Sequence, residues 1–286
     1  MNARELILEK FSELSPKMQA AAQFAIDHPN EVVVFSMRAV AERAGIQPAT
    51  FVRFAQHAGY SGWPELKAAF AADLGLRPVR YGQRAKSLAK RGQDPGLPGE
   101  LFVAQRENLD VTEKKCTAVI EDAVRLLRSA KTVYVAGFRA SFPVAYSFVY
   151  GYRLFRNSVD LIDGHSGNLE MQMRPVGAED AVMVISFAPY SREAMLVVDA
   201  AKSAGAGIVA LTDSDASPLA LAADVSLLFS VNSPSFFPSV AAGVALGEAL
   251  IELLLVAGGD AAVKKLEDAE NQLYGSTAYL QRRMKR

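Results

Sequence analysis

Residues 36–67, SMRAVAERAGIQPATFVRFAQHAGYSGWPELK, decide the fold of the first part of this chain. Met37 to Ala44 reads as a short helix with Val40, Ala41 and Ala44 on one face. Ser36 stands at its N-cap, where a hydroxyl accepts from an otherwise orphaned backbone N–H. Gly45 supplies the turn, because a left-handed backbone costs glycine little. Gln47-Pro48 opens a second helix, since proline at a first helical position needs no N–H donor. Along it Phe51, Phe54 and Ala58 fall inward, while Gln47, Thr50, Arg53 and His57 fall outward at helical spacing. Two short helices, a glycine turn and an outward polar row fit a helix-turn-helix whose second helix enters a DNA groove. An ordinary helical hairpin fits the same spacing, and periodicity alone leaves both readings open.

Upstream, Asn2 to Leu14 is amphipathic through Leu6, Ile7, Phe11 and Leu14. Ser15-Pro16 marks a helix start, and Met18, Ala22, Phe24 and Ile26 follow before Pro29. Val32-Val33-Val34 is β-branched, and propensity by itself predicts a strand there. Downstream, Arg77 to Gly99 holds three prolines, four glycines and no sustained periodicity. It reads as a connection between domains, with room for a helical turn over Gln83–Lys90. Six basic residues and no acidic one lie between Arg77 and Arg91: Arg77, Arg80, Arg84, Lys86, Lys90 and Arg91. Residues 1–98 carry 13 Lys/Arg against 9 Asp/Glu, and residues 99–286 carry 18 against 22, so a neutral chain splits into halves of +4 and −4. This asymmetry suits a first half that meets phosphates. A solvated basic linker is the other reading of the 77–91 stretch.

A chain of 286 residues, half of them apolar, permits two domains of ordinary size. No uninterrupted apolar run reaches the length of a membrane span, and the first residues lack a signal-peptide core. The single cysteine, Cys116, excludes an internal disulfide framework and fits a reducing cytoplasm. Three isolated histidines and one cysteine have no metal-ligand spacing, so neither metal nor cofactor is expected.

Glu100 to Ala130 reads as one long or broken helix burying Leu101, Leu109, Val119, Ile120, Val124 and Leu127. From Lys131 short β-rich runs alternate with helical patterns. Strands are expected at Thr132–Ala136, Val159–Ile162, Ala181–Ser186, Gly207–Thr212 and Val225–Phe229. Helices are expected over Phe142–Phe155 and Arg192–Ala204, with shorter ones near Leu169 and Pro218. This alternation implies a five-stranded parallel sheet flanked by helices, with ligands beyond the carboxyl ends of its strands. Phe237–Ala257 makes a further apolar helix and Ala261–Arg286 a polar terminal one. Two strand ends carry hydroxyl-rich turns, Val135-Ala-Gly-Phe-Arg-Ala-Ser141 and Ile185-Ser-Phe-Ala-Pro-Tyr-Ser-Arg-Glu193. Helix N-termini beside serine hydroxyls suit an anion; simple helix capping by Ser141 and Ser191 is the alternative.

The run Ile46-Gln-Pro-Ala-Thr-Phe-Val-Arg-Phe54, followed by Ala58-Gly-Tyr-Ser-Gly-Trp-Pro-Glu-Leu-Lys67, resembles the N-terminal domain of RpiR/MurR-type transcriptional regulators. The departures are Gln47, where the family usually has Ser, and Ala58, usually Leu. The resemblance implies a helix, not a strand, over the valine run, and DNA contacts from Gln47, Pro48, Thr50, Arg53, His57 and Lys67. The strand-end turns, with Ala206-Gly-Ile-Val-Ala-Leu-Thr-Asp213 and Ser217-Pro-Leu-Ala, resemble a SIS (sugar isomerase) domain. That likeness implies an effector site at Gly137, Arg139, Ser141, Ser186, Ser191, Arg192 and Glu193. Arg139 stands for a usual Gly, Ala188 for a Ser, Pro189 for a Gly and Ser191 for a Thr. Arg139 and Arg192 then compensate for the hydroxyl lost at Ala188 by bidentate recognition of an anion, or Arg139 points to solvent instead.

The expected organisation is an all-α helix-turn-helix domain over residues 1–77, a basic linker over 78–98, a SIS-like α/β domain over 99–257 and a helical tail over 258–286. The function implied is a cytoplasmic, DNA-binding transcriptional regulator of carbohydrate metabolism controlled by a phosphosugar or related anionic metabolite. A homodimer or tetramer on a palindromic double-stranded operator is expected, with no membrane partner. The alternative is a sugar-phosphate isomerase: Asp163-Gly-His-Ser-Gly-Asn-Leu-Glu170 loosely resembles the histidine loop of SIS-type isomerases, which places His165 as the candidate acid–base group.

Overall fold

The computed structural model of the chain describes residues 3–73, 81–92, 94–276 and 278. It divides into two compact units with the main break between residues 80 and 81. The first is helical: α1 (Ala3–Lys10), α2 (Pro16–Asp27), α3 (Pro29–Val34), α4 (Met37–Ala44), α5 (Pro48–His57) and α6 (Trp63–Asp73). Ser36 Oγ accepts from the Ala39 N–H at 3.3 Å, Gly45 closes α4 at φ +65°, and Pro48 sits in the first turn of α5, as their residue types dictate. The valine run is helical, so the strand read from β-propensity alone does not form. Pro29 starts a turn there, and Val32 is fully buried in the helical core.

That core is aromatic. Phe51 and Phe54 have no exposed surface, and the Phe51 ring meets Trp63 edge-on at 5.2 Å. Asp73 Oδ2 accepts from the Ala3 N–H at 2.6 Å, tying the end of α6 to the start of α1.

The second unit begins with α7 (Tyr81–Ala89), α8 (Leu97–Cys116) and α9 (Ile120–Ser129). There follow β1 (Val133–Gly137), α10 (Phe142–Arg153), β2 (Val159–Ile162), α11 (Leu169–Met173), β3 (Ala181–Ile185), α12 (Arg192–Ala204), β4 (Gly207–Thr212), β5 (Val225–Leu228) and α13 (Ala241–Gly275). All five strands are parallel, in the order β2-β1-β3-β4-β5. Side chains alternate across each strand. Val133, Val135, Met183, Val209, Leu211 and Leu227 join α9, α10 and α13 in one core, while Tyr134, Ala136, Val182, Val184, Ile208 and Ala210 are buried on the other face.

Three expectations change. No helix forms near Pro218; Ala222 and Ala223 close one turn on the Leu219 carbonyl before β5 begins. The apolar helix starts at Ala241 rather than Phe237, while Gly259, at φ +59° and ψ −153°, breaks α13 into two helical segments where the change from an apolar to a polar helix was expected. By length and composition α13 is apolar enough to cross a membrane. Its most apolar part nevertheless carries Glu248 and Glu252, and it buries Leu246, Leu250 and Leu254 in the domain core.

The third change concerns α8. Leu109 is 42% exposed, and the buried residues of this helix are Asn108, Thr112 and Cys116. Each is spent on the chain at or after β5. Asn108 Nδ2 donates to the Asn232 carbonyl at 2.7 Å and its Oδ1 accepts from Ser230 Oγ at 2.7 Å. Thr112 Oγ1 accepts from the Ser230 N–H, and Cys116 Sγ donates to the Leu228 carbonyl. Backbone groups of an edge strand demand partners, and the polar stripe of α8 provides them.

Candidate functional site

Helix α5 presents two faces. Phe51, Phe54 and Ala58 are buried, whereas Gln47, Arg53 and His57 are exposed and Pro48 and Thr50 half-buried. Among the described residues the exposed Arg53 side chain meets no hydrogen-bond or ion-pair partner, in contrast to Arg43 on α4, which lies over the Phe35 ring at 3.9 Å and pairs with Glu31. Bracing the fold is thus Arg43's work, and Arg53 projects outward with Gln47 and His57.

Lys67 departs from the expected DNA face. Its Nζ donates to the Phe35 carbonyl at 2.7 Å, and burial of the ammonium lowers its pKa. One of the three donors of this ammonium thus braces the C-terminal carbonyl of α3. The reason is geometric: α3 packs against α6, leaving that carbonyl within reach of Lys67. Of the basic stretch, Arg84, Lys86 and Lys90 lie in or just after α7, and Arg91 is held by Asp94 and Glu100. Arg77 and Arg80 lie outside the described residues.

In the α/β unit the strand order reverses between β1 and β3, and such a switch point opens a crevice beyond the strands' carboxyl ends. Both hydroxyl-rich turns leave from there. Gly137 ends β1; a Cβ on it would stand 2.5 Å from the Ala145 Cβ and 2.9 Å from the Ser141 carbonyl oxygen, so only glycine lets α10 approach this closely. Ser141 is buried and precedes α10, yet its side chain makes no cap hydrogen bond. Ser186 is buried directly after β3, Ser191 immediately precedes α12, and Arg192 is exposed at its start.

Arg139 lies between the two. It adopts φ +53° and its Nη2 donates to Glu193 Oε1 at 2.9 Å, joining the exit of β1 to the first turn of α12. A left-handed backbone costs a side-chain-bearing residue roughly 1–2 kcal/mol, whereas an exposed ion pair returns about 0.2–1 kcal/mol. The arrangement is therefore not explained by stability, and conformations of this kind gather where ligands are held.

The loop after β2 completes the rim. Asp163 Oδ1 accepts from the His165 N–H at 2.9 Å and from Gln172 Nε2 at 3.0 Å. Burial by itself raises the Asp163 pKa, but these hydrogen bonds outweigh it and hold the carboxyl below its ordinary value. His165 is exposed, and Ser166 beside it has φ +56°. Among the described residues no group of three His, Cys, Asp or Glu side chains is placed to hold a metal ion. The Arg139–Glu193 pair, the buried Asn108 and the Lys67 brace had no signal in the sequence, because each depends on partners distant along the chain.

Comparison with known proteins agrees with both halves. Residues 1–75 match the helix-turn-helix domain of the rpiR family, and residues 126–253 match the SIS domain. The HTH-type transcriptional regulator HexR of Pseudomonas aeruginosa is 28% identical over 232 residues, covering 79% of this chain and 78% of the relative. The HTH-type transcriptional regulator YfhH of Escherichia coli is 26% identical over 221 residues, covering 74% and 76%. Among solved structures, the Vibrio vulnificus NanR protein complexed with ManNAc-6P superposes with a TM-score of 0.59 at 18% identity, covering 97% of this chain and 100% of that one. At that identity the likeness shows the fold.

Proposed function

Given that the chain belongs to the rpiR-type helix-turn-helix transcriptional regulators carrying a SIS domain, we propose that an anionic, sugar-derived effector at the β1/β3 switch point controls its affinity for double-stranded DNA. The observation that carries this reading is the pairing of two surfaces on one chain. One is the outward row Gln47, Thr50, Arg53 and His57 on α5; the other is the pair of strand exits at the switch point, which carry Ser141, Ser186, Ser191 and Arg139. ManNAc-6P bound to the structurally similar NanR supports a phosphosugar-like ligand class. The effector acts by preferring one of the arrangements in which two DNA-binding units are presented, and so shifts their populations. The bacterial regulators that this chain resembles support a cytoplasmic site of action.

The reading is of a regulator rather than a sugar-phosphate isomerase. A DNA-binding unit fits regulation directly, and His165 occupies an exposed loop. Two experiments test the account. Titrating sugar phosphates and sugar acids by calorimetry should find a ligand whose binding is weakened by Ser141→Ala and Ser191→Ala while the fold survives, since Ser141 makes no cap hydrogen bond and even a lost cap costs only about 1 kcal/mol. Undiminished affinity in both variants contradicts the assigned site. Phosphosugar turnover abolished by His165→Ala would contradict the regulator reading.

A further inference from the structure

We propose that the amino-terminal end of the sheet carries a second ligand site, a cationic cavity between α9, α10 and α13 that takes a small phosphate-bearing molecule. The site is separate from the strand-end effector position. All five strands are parallel, so their amino ends lie at the opposite edge of the sheet from Ser141 and Ser186.

The cavity measures about 410 Å³, within the range of small-ligand sites. Arg128 at the end of α9, Arg156 after α10 and Lys265 beyond the Gly259 break of α13 line it, and among the described residues no acidic side chain does. Neighbouring cations have carboxylate partners: Arg125 pairs with Asp122, Lys131 with Glu179 at 3.4 Å and Arg153 with Asp160 at 2.8 Å. Arg128 and Lys265 are exposed, and among the described residues neither side chain has a hydrogen-bond or ion-pair partner. Asp260, just before the lining residue Ala261, is itself exposed and forms no part of the cavity wall. Three like charges around one cavity repel one another, and an anion among them reverses the sign of that interaction.

Arg156 sets the hydrogen-bonding character of the wall. Its Nη1 donates to the Leu127 carbonyl at 3.0 Å and its Nη2 to the Ala130 carbonyl, so the guanidinium caps the end of α9 and meets no carboxylate. It also donates to two hydroxyls, Tyr152 Oη at 3.0 Å and Ser158 Oγ at 3.2 Å. An oxygen that accepts from a guanidinium turns its own proton elsewhere. Tyr152 is buried and Ser158 half-buried, both line the cavity, and among the described residues neither hydroxyl has an acceptor for that proton. Burial pushes the Tyr152 pKa above its ordinary value against the pull of Arg156, so the phenol keeps the proton it would donate. Two hydroxyl donors, two unpaired cations and a fixed guanidinium charge call for a group that only accepts and carries more than one negative charge, as a phosphate does. Phe155, Leu254 and Ala262 give the rest of the molecule an apolar lining. An occupant held by Arg128 and Lys265 ties the last segment of α13 to α9.

The test is calorimetric titration of phenyl phosphate into the full-length chain and three variants. Arg128→Gln/Lys265→Gln removes the two unpaired cations. Arg125→Gln/Lys264→Gln makes the same change of charge at side chains outside the cavity wall, and Arg139→Gly alters the other end of the sheet. All these positions are exposed, so the fold should survive. One binding phase should weaken at least about tenfold in Arg128→Gln/Lys265→Gln and keep its affinity in the other two. Ser158→Ala should weaken the same phase by about threefold or more. Absence of binding to the wild type at millimolar phenyl phosphate overturns the site, as does affinity unchanged by Arg128→Gln/Lys265→Gln. Equal loss in both glutamine variants overturns it too, since that marks a general field effect. A single phase lost only in Arg139→Gly places phosphate at the strand-end position alone, which removes this site and leaves the effector reading standing.

Discussion

Arg53 and Lys67 carry the same charge on helices that pack against each other, yet the structure gives them different work. Arg53 on α5 projects outward, whereas Lys67 on α6 is half-buried with its ammonium on the Phe35 carbonyl. Arg53→Ala should therefore weaken DNA binding by about 1–3 kcal/mol in a sequence-dependent way. Lys67→Met should leave DNA affinity unchanged and lower stability by about 1 kcal/mol. Gel-shift titration at two salt concentrations and urea unfolding separate the two; a salt-dependent loss of DNA affinity for Lys67→Met returns it to the DNA face. Asp163 makes a pH prediction. Its folded pKa is depressed, so its contribution to stability is present above the ordinary value of about 3.9 and is lost as pH falls through the lower folded value. Asp163→Asn should flatten the acid limb of a thermal-melting profile between about pH 2 and 5, and an unaltered limb contradicts the assignment. At this scale the outward row of α5 was legible, because helical periodicity fixes which residues share a face. The partners of Lys67, Arg139 and Asn108 were not: each lies dozens of residues away in sequence, and only tertiary packing brings it near.

Elements were read more securely than residues wherever one physical signal dominated. Short apolar runs marked all five strands to within a residue at either end, since a parallel sheet buried on both faces demands continuous β-branched sequence. The valine run of α3 misleads for the opposite reason: six residues packed against α6 answer to burial, and propensity is the weaker term. Helix α8 misleads in another way. Its buried stripe is polar, so hydrophobic periodicity pointed to Leu109 instead of Asn108. Replacing Asn108 with Ala should cost about 1–3 kcal/mol, because Ser230 and the Asn232 carbonyl lose a buried partner; urea unfolding with a loss under 0.5 kcal/mol would show the stripe to be incidental. Gly137→Ala should destabilise as well, by about 1–3 kcal/mol, through overpacking against Ala145.

On the scale of the whole molecule, one helix-turn-helix offers few base contacts, and such readers work in pairs on half-sites about one DNA turn apart. We propose that a second copy covers the apolar surface of α10 and α13, where Phe142, Tyr146 and Tyr150 of α10 and Val256 and Val263 of α13 stand exposed. Large apolar side chains left in water on adjacent elements mark an interface, and light scattering should return at least a dimer that Tyr150→Glu weakens. A wild-type monomer at micromolar concentration refutes the pairing. The order of a basic helical half before an acidic α/β half was readable from charge and periodicity together. Control of one by the other was not, since it depends on populations rather than on contacts. The most direct test of the account is selection of bound duplexes from a random-sequence DNA pool with the full-length chain and with Arg53→Ala. The wild type should enrich an inverted repeat with half-sites about one helical turn apart, and the variant should lose or alter that motif. A wild-type pool no different from the input would contradict the central claim that this chain reads DNA sequence through α5.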